Sequence, residues 1–257
     1  MDTILLTFGS VLIVSVISLI GAFTISLQTA SLRRWMFLLV GLAAGGLLGD
    51  AFVHLIPTSL LVLSDVQFSI TILAGIISFF ILEKVLRWHH HHHASEEECP
   101  DHTPHDGPHA QPLGALVLTA DGIHNFIDGA IIAAGFLVSP AVGIATTIAV
   151  ILHEIPQEIS DFALLIHSGF SRAKALLFNF LSALTALGGA ALVIILGTSF
   201  DFFSPFALAF TAGGFIYIAG SDLVPELHKS TNLKRSIAEL AAMLVGIALM
   251  FALTFFE

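Results

Sequence analysis

Two short stretches near the middle of the chain carry side chains that bind metal ions. In the first, HNFIDG, His124 lies four residues before Asp128, and Asn125 is next to the histidine. On an α-helix, residues i and i+4 share a face, with Cβ atoms about 5–6 Å apart. An imidazole and a carboxylate on such a face can therefore bind the same ion.

The second stretch, HEIPQE, repeats this arrangement further along the chain. His153 lies four residues before Gln157, and Glu154 lies four residues before Glu158. Pro156 has no backbone N–H, and its ring pushes away the carbonyl of the preceding turn. We therefore expect a kink that leaves a backbone oxygen free beside the ligands. A membrane tolerates such an oxygen only inside protein or along a water-filled path.

Together the two stretches offer imidazole, carboxylate and amide ligands and no sulfur. Imidazole suits Zn, Cu and Fe, whereas carboxylate suits Mg and Mn. The mixed set favours a borderline divalent cation, Zn²⁺ first, then Fe²⁺, Mn²⁺ or Cd²⁺. The alternative is a polar network that only ties two helices together. The prolines and the weakly binding amides favour a site that releases its ion as well as binds it.

The composition indicates a polytopic membrane protein. Hydrophobic residues make up 56% of the chain and charged residues 11%, and the mean hydropathy is +0.94, whereas a soluble domain has about 25% charged residues. Carboxylates at membrane depth need a proton or a cation, so the acidic interior points to a cation ligand and nothing suggests nucleic acid. The acids that we place inside spans are Asp50, Asp121, Asp128, Glu154, Glu158, Asp161, Asp222 and Glu226.

The single cysteine, Cys99, excludes an intrachain disulfide and a thiolate-rich metal site.

Apolar runs of about 20 residues or more predict membrane-spanning helices. The chain contains eight such runs, so we predict an all-α membrane protein with eight transmembrane helices. The predicted spans are 3–27, 35–63, 68–87, 113–137, 140–166, 173–199, 204–227 and 236–256.

The basic residues predict the orientation of these spans. All nine lysines and arginines lie in or beside the connections between spans 1 and 2, 3 and 4, 5 and 6, and 7 and 8. Cytosolic loops of membrane proteins carry an excess of lysine and arginine. We therefore predict that these four connections are cytosolic and that both termini are extracytoplasmic. We treat residues 1–257 as a single transmembrane domain.

One predicted cytosolic connection, residues 88–112, is rich in histidine. It contains the run His89–His93, further histidines and three consecutive glutamates, Glu96–Glu98. This composition is typical of a disordered tract with affinity for metals. The loop either receives or senses metal, or it is a solvated linker.

Further polar residues inside the spans could line a path to and from the metal-binding stretches. Asp50 and His54 in span 2 form another i, i+4 pair, and so do Asp222 and Glu226 in span 7. The alternatives are a satisfied buried pair in span 2 and a solvated helix end in span 7. Asn179 in span 6 offers either an oxygen ligand or an ordinary interhelical hydrogen bond. The predicted pathway residues are Asp50, His54, Asp121, Asp161, Asp222 and Glu226.

These motifs resemble those of a known family. HNFIDG and HEIPQE resemble the signature motifs of helices 4 and 5 in the ZIP (Zrt-, Irt-like protein) divalent metal transporters. They are most similar to the branch whose fifth helix reads HEIPHE. The resemblance extends to GDAFVHLIP, NFLSALTA and DLVPEL, and thus to nearly the whole chain. Eight spans with a His-rich loop between the third and the fourth is also the layout of that family.

The resemblance implies a binuclear transport site at the middle of the membrane. Glu158 lies one residue beyond the usual ligand position, so we expect it to support the ligands. The chain departs from the branch at Gln157, where histidine is usual, and an amide oxygen binds zinc less strongly than imidazole. The implied ligands of the primary metal are His124, Asp128, His153 and Gln157. The implied ligands of the secondary metal are Asn125 and Glu154, with Asp128 or Gln157 shared between the two metals and Asn179 as a further contributor.

We therefore expect a transporter that imports zinc or a similar divalent cation, with no enzymatic activity and no catalytic cofactor. The resemblance also implies a homodimer, and we expect a cell (inner or plasma) membrane location. The alternative is an intramembrane zinc hydrolase, which needs about three fixed ligands, a metal-bound water and a general base. HEIPQE lacks the second histidine of an HExxH motif, because position 157 is glutamine. A metal-gated sensor without flux is a second alternative.

Overall fold

The fold is a helical bundle. The computed structural model describes residues 3–20, 29–94, 110–199, 203–229 and 232–256, and within them the regular structure is entirely helical. Seven helices are long and apolar enough to span a membrane. An eighth, Pro140–His167, has 28 residues and is also long enough, since about 20 residues suffice; the ionisable residues of HEIPQE reduce its apolarity. The prediction of an all-α membrane protein is confirmed.

We number the helices of the described residues α1 to α8. The first four are α1 (Thr3–Ile17, then the 3₁₀ turn Ser18–Ile20), α2 (Thr29–Asp50, the π-helical turn Ala51–Leu55 and Ile56–Leu60), α3 (Asp65–Ala94) and α4 (Ala110–Val138). The last four are α5 (Pro140–His167), α6 (Arg172–Ala183 and Thr185–Ser199), α7 (Phe203–Ile218, the π-helical turn Ala219–Leu223 and Val224–His228) and α8 (Leu233–Leu253, then the 3₁₀ turn Thr254–Phe256).

The helices follow the predicted spans, with two larger differences. Helix α2 begins at Thr29, whereas its predicted span begins at residue 35; residues 21–27 of the first predicted span lie outside the described residues. Helix α3 continues to Ala94 and includes His89–His93, whereas the predicted span ends at residue 87. Its 30 residues extend over about 45 Å, longer than a hydrocarbon core of about 30 Å, so one end projects beyond the bilayer. Residues 95–109, with Cys99 and the remaining predicted metal-avid histidines, lie outside the described residues.

Local sequence signals fix the ends of α5. Ser139 is in an extended conformation and its hydroxyl accepts a hydrogen bond from the Val142 N–H at 3.1 Å, while Pro140 occupies the first turn. These are a typical N-cap and N1 pair. At the other end, Gly169 has a φ of 86°, which lets the chain turn within a few residues into α6. As a result α4, α5 and α6 are consecutive and closely spaced.

Glycines bring pairs of helices into backbone contact. On α2, Gly41 lies against the Glu239 carbonyl of α8, and Gly45 lies against the Met243 backbone. The contact residues increase together along both helices, so α2 and α8 are parallel. A stripe of small residues is the usual means by which membrane helices pack this closely.

Two further glycine contacts also join helices that run parallel. Gly129 of α4 lies against the backbone of Ala186 in α6, and Gly213 of α7 lies against α3 near Gly75. Both pairs are again parallel. The parallel pairs α2 with α8, α4 with α6 and α3 with α7 are compatible with the alternation that the charge distribution predicts, and the orientation in the membrane stays a prediction.

Helices α2 and α7 share an irregularity in front of a proline. In α2 the Ile56 N–H bonds to the Ala51 carbonyl, and in α7 the Val224 N–H bonds to the Ala219 carbonyl. In each case the next residue is a proline, which cannot donate to the helix and whose ring crowds the preceding turn. The wider π turn accommodates that crowding, and π turns recur at functional sites.

Helix α5 lies at the centre of the bundle. It contacts α1, α2, α4 and α6. The face that meets these neighbours consists mainly of small or β-branched residues, including Val142, Ala145, Ala149 and Val150, all of which are buried. Polar side chains on α5 are therefore held inside protein, where they can be positioned by several helices at once.

Candidate metal centre

Four of the predicted ligands converge between α4 and α5. His124 and Asp128 come from α4, and His153 and Glu154 come from α5. We call these four residues the ligand group. One ligand atom from each lies within 4.8 Å of the ligand atoms of the other three. Among the described residues this is the one group of three or more His, Cys, Asp or Glu side chains that could hold a metal ion.

The distances within this group match the requirements of zinc. The two Nε2 atoms of His124 and His153 are 3.3 Å apart. An Asp128 carboxylate oxygen lies 3.5 Å from His124 Nε2 and 3.3 Å from His153 Nε2. A Glu154 oxygen lies 3.4 and 3.6 Å from the same two atoms. Tetrahedral ligands at about 2.0–2.1 Å from zinc lie about 3.3–3.4 Å from one another, so these five distances are close to those of a tetrahedral zinc site.

The charges of the group also suit a divalent cation. Asp128 and Glu154 are 1% exposed, His153 is 2% exposed, and His124 is partly exposed. If both carboxylates are ionised and both imidazoles are neutral, the group carries two negative charges, and burial of uncompensated charge is costly. A cation with two positive charges would neutralise them and could bind all four side chains.

The backbone orients the His153 ring toward the group. Its Nδ1 lies 3.2 Å from the Ala149 carbonyl one turn earlier. A proton on Nδ1 makes this a hydrogen bond and leaves the lone pair of Nε2 directed at the ligand group. The Phe215 ring of α7 packs edge-on against the imidazole with centroids 6.4 Å apart, so the ring is held on a second side.

The predicted ligand Asn125 is held by Asp121. Its amide nitrogen donates to a carboxylate oxygen of Asp121 at 2.8 Å, and the Ser182 hydroxyl of α6 donates to the other oxygen. Because a carboxylate accepts and does not donate, these bonds fix which end of the amide carries the oxygen. The Asn125 Oδ1 is buried and has no hydrogen-bond partner among the described residues.

A second amide and carboxylate pair lies between α5 and α6. The Asn179 amide donates to one oxygen of Glu158, and it also lies 3.4 Å from the Ser18 carbonyl at the end of α1. Glu158 Oε1 and Asn179 Oδ1 are buried without a hydrogen-bond partner within the described part of the chain. Buried acceptors of this kind are rare and call for an explanation.

Gln157 borders a cavity on one side of the ligand group. The cavity has a volume of about 530 Å³ and extends from His153 and Gln157 to Asp222, Glu226 and the start of α8. Its wall comes from α2, α5, α7 and α8, and its far end lies beside the basic connection between α7 and α8. The cavity thus joins the ligand group to the end of the bundle that carries the basic residues.

Two cavity residues at the start of α8 are missing from the sequence prediction. Glu239 is buried and forms an ion pair with Arg235 at 2.9 Å, and the guanidinium stacks on the Phe37 ring of α2. The i, i+4 spacing of an arginine and a glutamate at a predicted helix start is the signal that would have found them. Glu83 in α3 was missed as well, and it accepts a hydrogen bond from Tyr217.

The remaining predicted pathway residues lie apart from the ligand group. Asp50 and His54 are buried and bonded to each other at 3.0 Å across the π-helical turn of α2. Asp161 is partly buried on α5, one turn beyond Glu158. Glu226 is exposed and paired with Lys229 at the end of α7. Their assignment to a pathway stays a prediction.

Comparisons with known proteins place the chain among its relatives. The ZIP zinc transporter family model matches residues 1–112 and 88–254. The chain belongs to the ZIP family. Its relatives include zinc transporter zipt-7.2 of Caenorhabditis elegans, 34% identical over 269 residues, which cover 85% of this chain and 58% of that protein. Zinc transporter ZIP13 of Pongo abelii is 34% identical over 233 residues, covering 85% of this chain and 66% of that protein.

Another ZIP relative matches along the full length of the chain. Zinc transporter SLC39A7 of Rattus norvegicus is 30% identical over 346 residues, covering 100% of this chain and 74% of the relative. This ZIP chain thus spans between about half and three quarters of these relatives. The family resemblance predicted from HNFIDG and HEIPQE is confirmed.

Proposed function

We propose that this ZIP chain transports a divalent metal cation across a membrane, with Zn²⁺ as the first candidate and Fe²⁺, Mn²⁺ and Cd²⁺ as further ones. The observation that carries the proposal is the close spacing of His124, Asp128, His153 and Glu154 between α4 and α5. Relatives named zinc transporters support zinc as the cargo.

The primary position in this proposal is the four-residue group, with Gln157 as an additional weak ligand on its cavity side. The secondary position uses the oxygens of Asn125 and Asn179, and Glu158 supports it. The buried acceptor atoms of these three residues have no hydrogen-bond partner among the described residues, and a nearby cation is one way to satisfy such atoms, which supports this assignment.

The proposed route of release is the cavity between Gln157 and the basic end of the bundle. Cytosolic loops carry the excess of positive residues, so release through this cavity is release into the cytosol and the direction is import. Asp222 and Glu226 on its wall provide carboxylates along the way. Asp50, His54, Asp121 and Asp161 are proposed to serve the approach to the site. A homodimer and a cell membrane location remain predictions from the resemblance.

The rival function, an intramembrane zinc hydrolase, has less support. Its catalytic site would keep one zinc position for water, whereas here four side chains are spaced to fill a tetrahedron. Members of the ZIP family are transporters, and the chain carries glutamine in place of the second histidine of an HExxH motif.

The test is uptake of radioactive zinc into proteoliposomes that contain the purified protein. We expect saturable uptake by the wild type and loss of it in the His124→Ala/His153→Ala double variant. His228→Ala, an exposed histidine at the end of α7, is the matched control and should transport normally. Competition with Fe²⁺, Mn²⁺ and Cd²⁺ then ranks the metals. Tight zinc binding by the wild type without any flux would overturn transport and favour the hydrolase or a sensor.

A further inference from the structure

An apolar groove lies on the outer surface of the bundle between α2 and α8. Its volume is about 690 Å³, within the range of about 300–1,000 Å³ that is typical of small-molecule sites. It is distinct from the cavity at the ligand group. The lining residues are Leu38, Leu39 and Leu42 of α2 and Ala238, Ala241, Ala242 and Val245 of α8.

The groove exists because the two helices are close and the α8 side chains are small. Gly41 and Gly45 of α2 allow backbone contact with α8. On the outer side of this seam, α8 presents alanines where α2 presents leucines, and the difference in size leaves a furrow. A side chain at either glycine would meet backbone atoms, so the close approach of the two helices, and with it the furrow, depends on both glycines.

The position of the groove places it in the hydrocarbon region. Both helices are apolar enough to span a membrane over Met36–Leu60 and Leu233–Leu253, and the groove falls inside these spans. Val245 is 59% exposed on its rim. An occupant of the groove must therefore be apolar along its length.

Basic residues lie one helical turn before the groove on both helices. Lys234 precedes Ala238 by four residues on α8, and Arg34 precedes Leu38 by four residues on α2, so each shares a helical face with the groove. Because α2 and α8 are parallel, both residues lie at the same end. Within the described residues, Arg235 and Lys229 are paired with carboxylates, whereas the exposed Lys234 has no carboxylate within ion-pair distance.

We propose that the groove binds an anionic phospholipid of the cytosolic leaflet. One acyl chain lies in the furrow between α2 and α8, and the phosphate is bound by Lys234. An apolar channel with positive charge at its end matches the two halves of such a lipid, and basic residues next to the membrane attract anionic headgroups. The proposal does not depend on which metal the protein carries.

Trp35 provides a local reporter for the test. It lies three and four residues before Leu38 and Leu39, and Trp88 is the other tryptophan of the chain. A Trp88→Phe protein is reconstituted with phosphatidylglycerol or phosphatidylcholine that carries brominated acyl chains, and quenching of Trp35 fluorescence is measured. We expect phosphatidylglycerol to quench at a severalfold lower mole fraction, with a difference that shrinks at high salt because screening weakens the headgroup contact.

Matched variants separate a site from general attraction to the membrane. Lys234→Gln should reduce the preference for phosphatidylglycerol about fivefold, and Lys174→Gln, an exposed lysine of another basic connection, should leave it unchanged. Ala241→Phe, at an exposed position of the groove, fills the furrow and should remove the preference without altering a charge.

Three results would overturn the proposal. The first is equal quenching by both lipids in the Trp88→Phe protein, and the second is a preference that Lys234→Gln and Lys174→Gln reduce alike. The third is weak quenching by both lipids together with a dimer that Ala241→Phe dissociates, which would assign the groove to a second copy of the chain.

Discussion

At the scale of single residues, the proposed site depends on two imidazoles between two carboxylates. The Nε2 atom of each histidine lies 3.3–3.6 Å from one oxygen of both carboxylate groups. Removing one imidazole takes away a ligand and leaves the charge of Asp128 and Glu154 unchanged. The remaining group still attracts a cation but cannot complete a tetrahedron.

His153→Ala should therefore bind zinc at least about 10–100-fold more weakly than the wild type, since loss of even an outer partner costs that much. Calorimetry on purified protein measures the affinity, and uptake should fall in parallel. Equal elution volumes in size-exclusion chromatography would show that the variant is folded. Near wild-type affinity in a folded variant would remove His153 from the site.

Gln157→His should bind zinc more tightly and release it more slowly. Imidazole is the better zinc ligand, and position 157 lies where the ligand group meets the cavity. We expect a lower KM and a lower kcat for zinc uptake. Ser160→Ala, which alters the same cavity wall without a strong ligand, is the control and should change neither by much. An unchanged KM would show that this side chain does not reach the cargo.

The four side chains that converge between α4 and α5 could be found in the sequence because their spacing is local, and their role as ligands stays a prediction. An i, i+4 pair within one helix can be read without knowledge of the fold, and all four residues of the group were found in this way. Which of Glu154 and Gln157 joins the compact group depends on the rotation of α5 against α4, which spacing alone does not define. Glu239 was missed for a related reason, because only the packing of α8 on α2 and α7 brings it to the cavity.

At the scale of helices, the glycine contacts decide how closely the bundle can pack. Gly45 has the Met243 backbone directly against it, so a methyl group there has no flexible neighbour that could move away. Leucine-rich helices without such contacts would be held several ångströms further apart, and the cavity wall shared by α2 and α8 would open.

Gly45→Ala should therefore destabilise the protein by about 1–3 kcal/mol or more, the usual cost of overpacking. Gly9→Ala is the matched control, because nothing lies within 4 Å of a Cβ at that position. Thermal unfolding followed by chromatography of detergent-solubilised protein measures both. Equal melting temperatures for the two variants would contradict the close contact of α2 and α8.

Helix existence was predictable from apolar run length, but the irregular turns were not. Pro57 and Pro225 signal a disturbance in α2 and α7, and a proline can produce a kink, a break or a π turn. The choice between these outcomes depends on neighbouring helices that hold the backbone on both sides. The extension of α3 to Ala94 was not predictable either, because a run of histidines is not apolar.

At the scale of the whole molecule, the cavity connects the ligand group with one end of the bundle. It reaches from His153 to the start of α8, beside the basic connection between α7 and α8. Transport by alternating access requires a second state, and a ligand shifts the balance of two states only by binding one of them better. Under the proposed function, the cavity belongs to the state that is open toward the basic connections.

Ser160→Cys in a Cys99→Ser background should react with a membrane-impermeant maleimide applied from the side of the basic connections. Ser160 lines the cavity and is exposed. Ser64→Cys, in the turn between α2 and α3, should react from the other side. Oriented membrane vesicles with reagent on one face at a time provide the measurement. Labelling of both cysteines from the same face would contradict the proposed path.

The number of spans and their alternation could be predicted, because apolar runs and the distribution of basic residues reflect the bilayer. The arrangement of basic residues predicted which connections share an end, and the parallel helix pairs agree with it. The pairing of α2 with α8 and of α4 with α6 was not predictable, because glycines occur in several helices and nothing in a single sequence says which two stripes meet.

The seam between α2 and α8 also has a consequence for biosynthesis. A membrane protein is inserted from its N-terminus onward, and Gly45 meets a partner that lies almost at the other end of the chain, Met243. The small-residue face of α2 is thus without its partner while five intervening helices are synthesised and inserted. The part of the cavity wall that Arg235 and Glu239 form is likewise absent until then. The nascent chain therefore acquires its ligand group between α4 and α5 before it acquires the cavity that leads away from it.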